Sequence, residues 1–196
     1  MFTDPAAQWS FTILFSALTA YSALRVFVDW SRPLQAIGHA LHAVMAVDMA
    51  AMAWPWWAAI PGAPQLVFFI TAAVWYAIVL VLQASRRVSR RLLGGHGAWH
   101  QAVHVVMMLA MVWMVAVMAD ADPSASGHDH SALPVDAALA GVVLTAGLII
   151  AGAIFVVEFV GCVRGGKRMW VGHTGDVGAG ALMCLGMAAM CLPMLV

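Results

Sequence analysis

Residues 97–119 read GAWHQAVHVVMMLAMVWMVAVMA, an unbroken run of 23 residues without a charged side chain. An α-helix needs about 20 predominantly apolar residues to cross the hydrocarbon core of a bilayer. The run therefore predicts one transmembrane helix. Most of its histidines and methionines recur every three or four residues, which places them along one side of that helix.

The rest of the chain has the same apolar character. Of its 196 residues, 64% are hydrophobic and 9% are charged, whereas soluble domains carry about 25% charged residues. This composition excludes a water-soluble enzyme, a nucleic-acid-binding protein and a disordered protein, and it favours a chain that lies in a lipid bilayer. We predict an all-α polytopic membrane protein in which residues 1–196 form a single transmembrane domain. Its six spans are predicted at 9–29, 34–54, 65–84, 97–119, 136–160 and 173–195.

Lysine and arginine predict the orientation of these spans. Because basic residues stay on the cytoplasmic side, we place the connections that carry them inside a bacterial cytoplasmic membrane and both termini outside. The longest outward loop is 120–135, and its His128-Asp129-His130 motif is either a metal-capture site or part of a solvated, flexible loop. All nine basic residues lie at the 1–2, 3–4 and 5–6 connections: Arg25, Arg32, Arg86, Arg87, Arg90, Arg91, Arg164, Lys167 and Arg168.

Methionine follows a matching pattern in the three even-numbered spans. The intervals are four and three residues in the second span, and four, three and four in the fourth and sixth. These steps keep each set on one stripe of its helix. In the second helix, Trp56 occupies the position that corresponds to the fourth methionine of the other two stripes. The stripes contain eleven of the 14 methionines: Met45, Met49, Met52, Met107, Met111, Met114, Met118, Met183, Met187, Met190 and Met194.

The repeated intervals predict three tandem helical hairpins with a pseudo-threefold arrangement of the second, fourth and sixth helices. Three stripes on a shared axis would stack methionines in triads about 5–6 Å apart along the helices. Thioethers are soft, neutral ligands that select Cu(I), and neutral ligands release an ion readily enough for conduction. The alternative is that methionine, an adaptable core residue, only packs the bundle. Because the intervals match in three helices, we favour a metal role.

Ionisable residues inside spans are costly and are candidates for functional sites. They gather in the predicted cytoplasmic half of the bundle, where His104 continues the methionine stripe of the fourth helix. Imidazole suits copper, zinc, iron and nickel alike, so these residues do not identify the metal. The candidate ligands are His39, His42, His100, His104, Glu158, His173 and Asp176.

Acidic residues in or beside the spans also have structural alternatives. Asp29 can pair with Arg25 or Arg32 at the membrane surface. Glu158 can pair with a nearby arginine or with a histidine. Asp48, on the flank of the second methionine stripe, is a proton-transfer group, an ion-attracting group or an interhelical hydrogen-bond partner.

Two resemblances bear on these residues. The motif Gly38-His39-Ala40-Leu41-His42, followed by Met45, Met49 and Met52, resembles an actinobacterial family of methionine- and histidine-rich integral membrane proteins described as a domain of unknown function. That resemblance covers most of the chain and implies no activity. The repeated Met-x-x-x-Met spacing is similar to the CTR copper transporters, trimers in which each subunit supplies such a helix to a central pore. It implies copper transport, but this chain differs from CTR in its six spans and in lacking a Cys-His tail.

We therefore expect a Cu(I) conduit or transporter in which an ion passes the methionine layers and reaches the histidines. The chain contains no ATP-binding motif, so transport would be passive or coupled to another gradient. One alternative is a membrane-embedded metalloenzyme or electron-transfer protein with a dinuclear copper or iron site, or with a haem. Another is a copper-binding chaperone or storage protein. We favour a conduit over an enzyme, zinc stays open as the metal, and the sequence identifies no protein partner.

Overall fold

The computed structural model describes residues 4–87, 97–120, 134–166 and 171–195, and in these ranges the chain forms α-helices and short 3₁₀ turns but no strand. Each α-helix begins and ends within about four residues of its predicted bounds, which confirms the all-α class. The His128-Asp129-His130 motif and the basic residues Arg90, Arg91, Lys167 and Arg168 lie outside the described residues. The helices are α1 (Pro5–Val28), α2 (Pro33–Met52), α3 (Gly62–Ala84), α4 (Ala98–Asp120), α5 (Val135–Arg164) and α6 (His173–Cys191).

Local sequence explains where the first two helices begin. α1 starts at Pro5, directly after Asp4, whose Oδ1 accepts a hydrogen bond from the Ala6 N–H at 3.0 Å. Pro33 opens α2 in the same position. Proline is well suited to the first helical position, because the N–H it lacks would have no partner within the helix. The breaks predicted from the sequence therefore correspond to helix ends.

Five of the six helices are long and apolar enough to cross a membrane, as expected of a multi-pass membrane protein. The prediction of six apolar spans holds for these five, and α2 is less apolar than predicted. Its 20 residues include Gln35, His39, His42 and Asp48, which lower its mean hydropathy. α2 has the length of a span, but it carries several of the polar groups of the candidate site.

Helices that are neighbours in the chain pack in pairs. The most extensive contacts join α1 to α2, α3 to α4, and α5 to α6, and further contacts join α4 to α5, α1 to α6 and α4 to α6. The amino-terminal halves of α2, α4 and α6 meet the carboxyl-terminal halves of α1, α3 and α5 around one cavity. We call this end of the bundle the histidine end. The tandem-hairpin and pseudo-threefold arrangements stay predictions.

The methionine stripes face the interior of the bundle. Nine of the eleven stripe methionines are at most 2% exposed. Met118 and Met194, at the opposite end from the histidines, are partly buried against the same hydrophobic cluster. Burial alone does not separate a metal role from packing, because a core methionine is equally buried.

Trp56 does not continue the α2 stripe, so that prediction is wrong. α2 ends at Met52, and Pro55–Ala59 form a 3₁₀ turn, because proline cannot donate the next helical hydrogen bond. Trp56 is 57% exposed in this turn, whereas Trp57 is buried and its Nε1–H donates to Asp48 Oδ1 at 3.1 Å. Asp48 thus accepts a hydrogen bond, but from the turn that follows its own helix rather than from another helix as the interhelical alternative predicted.

Gly141 marks a close approach of α5 to α4. A Cβ built at Gly141 would overlap Cζ2 of Trp113, and that ring is held in place because its Nε1–H donates to the Ala137 carbonyl at 2.8 Å. We expect Gly141→Ala to lower the free energy of unfolding by roughly 1–3 kcal/mol through overpacking. The measurement is the Tm of the purified protein in detergent.

Gly161→Ala on the same helix is the matched control for that substitution. Among the described residues, no atom lies within 4 Å of a Cβ built at Gly161. Alanine favours a helix over glycine by up to about 1 kcal/mol, so this variant should keep or slightly raise the Tm. Equal Tm values for the two variants would contradict the close approach at Gly141.

Candidate metal site at the histidine end

A cavity of about 90 Å³ lies at the histidine end, and all six helices contribute to its lining. A buried water molecule needs roughly 10–15 Å³ of such space, so the cavity has room for a few waters or an ion. The structure brings most of the predicted histidines, one predicted carboxylate and one stripe methionine to this common space. These residues are His39, His42, His100, His104, Asp176 and Met183.

His42 of α2 and His104 of α4 are in ring contact in this cavity. Their ring centroids lie 4.5 Å apart with an interplanar angle of 72°. Tyr76 of α3 packs beside them, with its ring centroid 5.0 Å from that of His104, and its hydroxyl donates to the Gly38 carbonyl at 3.1 Å. The tyrosine therefore restrains the position of the two imidazoles.

Met183 lines the same cavity and is the first methionine of the α6 stripe. Its side chain is buried, with 2% of the residue exposed. Among the described residues, no three His, Cys, Asp or Glu side chains form a group that could hold a metal ion. The Met183 thioether shares the cavity lining with His42 and His104.

A second group connects α4, α5 and α6 through Glu158. His100 Nε2 lies 3.4 Å from Glu158 Oε2, and His173 Nε2 lies 3.3 Å from Glu158 Oε1. The pairing of Glu158 with a histidine is therefore confirmed, and it involves two histidines. His100 precedes His104 by one helical turn and its side chain is 12% exposed, whereas that of His173 is 39% exposed. The group extends from the cavity toward the surface.

A third group holds buried charges at the edge of the cavity. Arg25 Nε and Nη2 donate to the two oxygens of Asp176, both at 3.0 Å, and Tyr21 also donates to Asp176 at 2.8 Å. Arg25 Nη2 lies 2.8 Å from Asp29 Oδ2, and the exposed Arg32 lies 3.9 Å from Asp29 Oδ1. Both predicted pairings of Asp29 are thus confirmed. The Asp176 carboxylate accepts hydrogen bonds from Arg25 and Tyr21. Its role as a metal ligand stays a prediction.

His39 belongs to this third group rather than to the ring pair. Its Nε2 lies 3.5 Å from Asp29 Oδ2. The other stripe methionines are not among the residues that line the cavity, so their metal role stays a prediction as well.

The sequence interpretation overlooked two tyrosines. The chain contains only two, and both Tyr21 and Tyr76 line the cavity. Their scarcity in apolar helices was a usable signal, because a buried tyrosine hydroxyl generally has a hydrogen-bond partner. Arg25 was predicted to pair with Asp29, but its contact with Asp176 was not predicted.

Comparison with known proteins places the chain in a family. Residues 34–179 match the family model described as domain of unknown function (DUF5134). Uncharacterized proteins of Mycobacterium tuberculosis and Mycobacterium bovis are 37% identical to the chain over 118 residues, which is 60% of this chain and 52% of each relative. The chain thus spans about half the length of the curated relatives it matches.

No solved structure matches the chain. The similarity of its methionine spacing to that of CTR transporters stays a prediction. The predicted resemblance to an actinobacterial family of unknown function is confirmed by the mycobacterial relatives. Because the family model covers most of its residues, this chain belongs to the DUF5134 family.

Proposed function

We propose that this protein handles copper and binds Cu(I) at the histidine end between His42, His104 and Met183. One observation carries the proposal: two imidazoles in ring contact and the first methionine of the α6 stripe line the same cavity. All three donors are neutral, and one is a thioether. Such a set suits Cu(I), whereas harder divalent ions such as magnesium and calcium prefer carboxylate and carbonyl oxygens.

In the proposal, the protein is a Cu(I) conduit and the methionine stripes are the route to this site. Three tandem hairpins around a pseudo-threefold axis would stack Met45, Met107 and Met183 as the first layer, with further triads beyond it. The ion enters near Met118 and Met194 at the opposite end. Sulfur ligands in successive layers let an ion move between equivalent weak sites.

The proposed orientation places the histidine end on the cytoplasmic side of a bacterial inner membrane, with both termini outside. It is supported by the basic residues that the structure describes near the helix ends on that side. An inside-negative potential then favours inward movement of a monovalent cation by about 2.3 kcal/mol per 100 mV. These basic residues are Arg25, Arg32, Arg86, Arg87 and Arg164.

A copper storage or chaperone protein is the second candidate, and the packing of the methionine core favours it. Met49, Met111 and Met187 are each 0% exposed, and protein interiors of this kind are close-packed. A conduit requires this core to open, whereas a storage protein can keep it closed. Copper flux therefore separates the two candidates.

The ring contact also favours an ion over a haem. A haem with two histidine ligands has its porphyrin between the imidazoles, but the His42 and His104 centroids lie only 4.5 Å apart. A haem there would require α2 and α4 to separate. A haem enzyme is thus the weaker alternative, and we expect the purified protein to show no Soret band.

An anaerobic titration of the purified protein with Cu(I), in competition with a chromogenic chelator, tests the proposed site. We expect Met183→Leu to weaken Cu(I) binding by about tenfold, because leucine conserves the volume and removes the sulfur ligand. Met108→Leu is the matched control, since Met108 is fully buried in α4 but lies off the stripe. Equal Cu(I) affinities of the Met183→Leu and Met108→Leu variants would show that Met183 is not a ligand. A wild-type protein that binds no Cu(I) would overturn the proposal.

A further inference from the structure

Three side chains connect the cavity to the end of the bundle. His100 lines the cavity, whereas Glu158 and His173 are not among its lining residues. His100 Nε2 lies 3.4 Å from Glu158 Oε2, and His173 Nε2 lies 3.3 Å from Glu158 Oε1. The exposed fraction of the side chain rises from 12% at His100 to 30% at Glu158 and 39% at His173. We call these three side chains the bridged group, and its exposure increases away from the cavity.

The bridged group reaches the protein surface near the ends of two helices. α5 has 30 residues, and at about 1.5 Å per residue it is roughly 45 Å long. It is therefore longer than the hydrocarbon core of a bilayer, which is about 30 Å thick. Glu158 lies six residues before Arg164, the last residue of α5, and His173 is the first residue of α6. Both side chains thus lie near the membrane surface, where an ion can pass into water.

The other sides of the cavity are more deeply buried. On the α1 side, Arg25 is 7% exposed and donates to Asp176 at 3.0 Å, and the His39 side chain is 16% exposed. Toward the methionine core, Met187 follows Met183 on the α6 stripe and is 0% exposed. The bridged group therefore offers an ion in the cavity the most exposed nitrogen donors between the cavity and water.

The two histidines of the bridged group are spaced so that one ion can lie between them. Their ring centroids lie 6.3 Å apart. Two imidazoles on opposite sides of one metal ion have centroids about 6–6.5 Å apart when each metal–nitrogen bond is about 2.0 Å. Carboxylates commonly orient the imidazoles that bind metals, and Glu158 lies within 3.4 Å of both rings. The spacing and the shared carboxylate both suit a site with two nitrogen ligands.

We propose that His100 and His173 form a second, weaker Cu(I) site through which the ion passes between the cavity and the water at the histidine end. The inference rests on the proposed Cu(I) site in the cavity and identifies how that site exchanges its ion. Two neutral donors hold Cu(I) less firmly than three, and a weakly held ion moves on readily. Glu158 is a positioning residue, because carboxylate oxygens suit harder ions than Cu(I).

A site on the path of the ion changes rates and leaves the equilibrium affinity unchanged. We expect His173→Leu to slow Cu(I) binding and Cu(I) release by the same factor of about tenfold or more, since even lost support of a metal ligand costs about 10–100-fold. The dissociation constant should stay within about twofold of the wild type, because only the barrier between bound and released ion is altered. His173→Met is the matched control: it resembles leucine in volume, and its thioether accepts Cu(I), so its rates should stay within about threefold of the wild type.

The rates are measured by anaerobic stopped-flow mixing of the purified, Cu(I)-loaded full chain with an excess of a chromogenic chelator. The buffer is at about pH 8, where ordinary imidazoles are neutral. The chelator concentration is raised until the observed rate no longer depends on it, so that the rate reports release from the protein. Mixing the metal-free protein with Cu(I) gives the binding rate, and the competition titration gives the affinity.

Glu158→Gln tests the positioning role, and it keeps the inference testable if His173→Leu does not fold. Loss of a negative charge near a cation would by itself speed release. Loss of the group that orients both imidazoles should instead slow release by about threefold or more. Asp136→Asn removes an exposed carboxylate from the opposite end of α5, so it is the matched control and should change neither rate.

Equal slowing of binding and release in His173→Leu, with recovery in His173→Met, would support the inference. Unchanged rates in His173→Leu, or equally slow leucine and methionine variants, would overturn it. A weaker affinity of His173→Leu would also overturn it, because His173 would then be a ligand of the cavity site itself. In each of these cases the wild type still binds Cu(I), so the inference alone is refuted. A wild-type protein that binds no Cu(I) would refute the proposed function as well.

Discussion

Cu(I) affinity is expected to fall by at least about a hundredfold when His42 and His104 are both replaced by leucine. The two imidazoles are in ring contact, and they are two of the three proposed donors. Changes in the residues that merely support metal ligands already cost about 10–100-fold. The loss of two direct donors should cost more than that. The measurement is the same anaerobic competition with a chelator.

The matched control replaces both histidines with methionine. Leucine and methionine have similar volumes and both pack in cores, so the two double variants differ chiefly in the thioether. We expect the methionine pair to retain Cu(I) binding within about tenfold of the wild type and to bind Zn²⁺ more weakly, because thioethers select Cu(I). Equal Cu(I) affinities of the leucine and methionine pairs would show that the ion binds elsewhere.

Copper uptake into proteoliposomes should be abolished, within the leak of empty vesicles, when Met49, Met111 and Met187 are all replaced by leucine. Each is fully buried in a different even-numbered helix, and the proposed conduit has them in one layer. Each swap of methionine to leucine should cost less than about 1.5 kcal/mol of stability, since the side-chain volumes are similar. The triple variant should therefore stay folded, and it should still bind Cu(I) at the histidine end.

Met108→Leu is again the control for the uptake assay, and it should conserve the wild-type rate. If the triple variant transports copper as fast as the wild type, the methionine layers are packing and the conduit is wrong. If the wild type binds Cu(I) but no variant shows uptake above the leak, the storage or chaperone candidate replaces the conduit. Neither result would contradict the proposed Cu(I) site at the histidine end.

Helical periodicity explains how much of the molecule could be predicted. Spacings of three and four residues place Met107, Met111 and Met114 on one face of α4, and the structure buries that face. The same local argument placed His104 in line with the stripe, and it now lies against His42. Apolar length and proline breaks set the helix bounds in the same way.

Helical periodicity does not predict contacts between helices that are far apart in the chain. Arg25 and Asp176 are 151 residues apart in the chain, and nothing in the spacing of either residue selects the other as a partner. Glu158 could be assigned to a histidine in general terms, but its bridging of His100 and His173 depends on how α4, α5 and α6 pack. The predicted cluster of ligands accordingly divides into a ring pair, a bridged pair and a buried ion group.

Trp56 shows a different limit. Its interval from Met52 continues the methionine spacing, but the proline at position 55 ends the helical hydrogen-bond pattern before it. Spacing predicts a shared face only as far as the helix extends. The buried indole is that of Trp57, one residue later.

X-ray absorption spectroscopy of the Cu(I)-loaded protein tests the central claim most directly, because it reports the atoms bound to the metal. Three neutral donors at the histidine end predict a three-coordinate Cu(I) with nitrogen and sulfur neighbours, and Met183→Leu should remove the sulfur contribution while the nitrogen contribution remains. A Cu(I) spectrum with only nitrogen and oxygen neighbours in the wild-type protein would contradict the account.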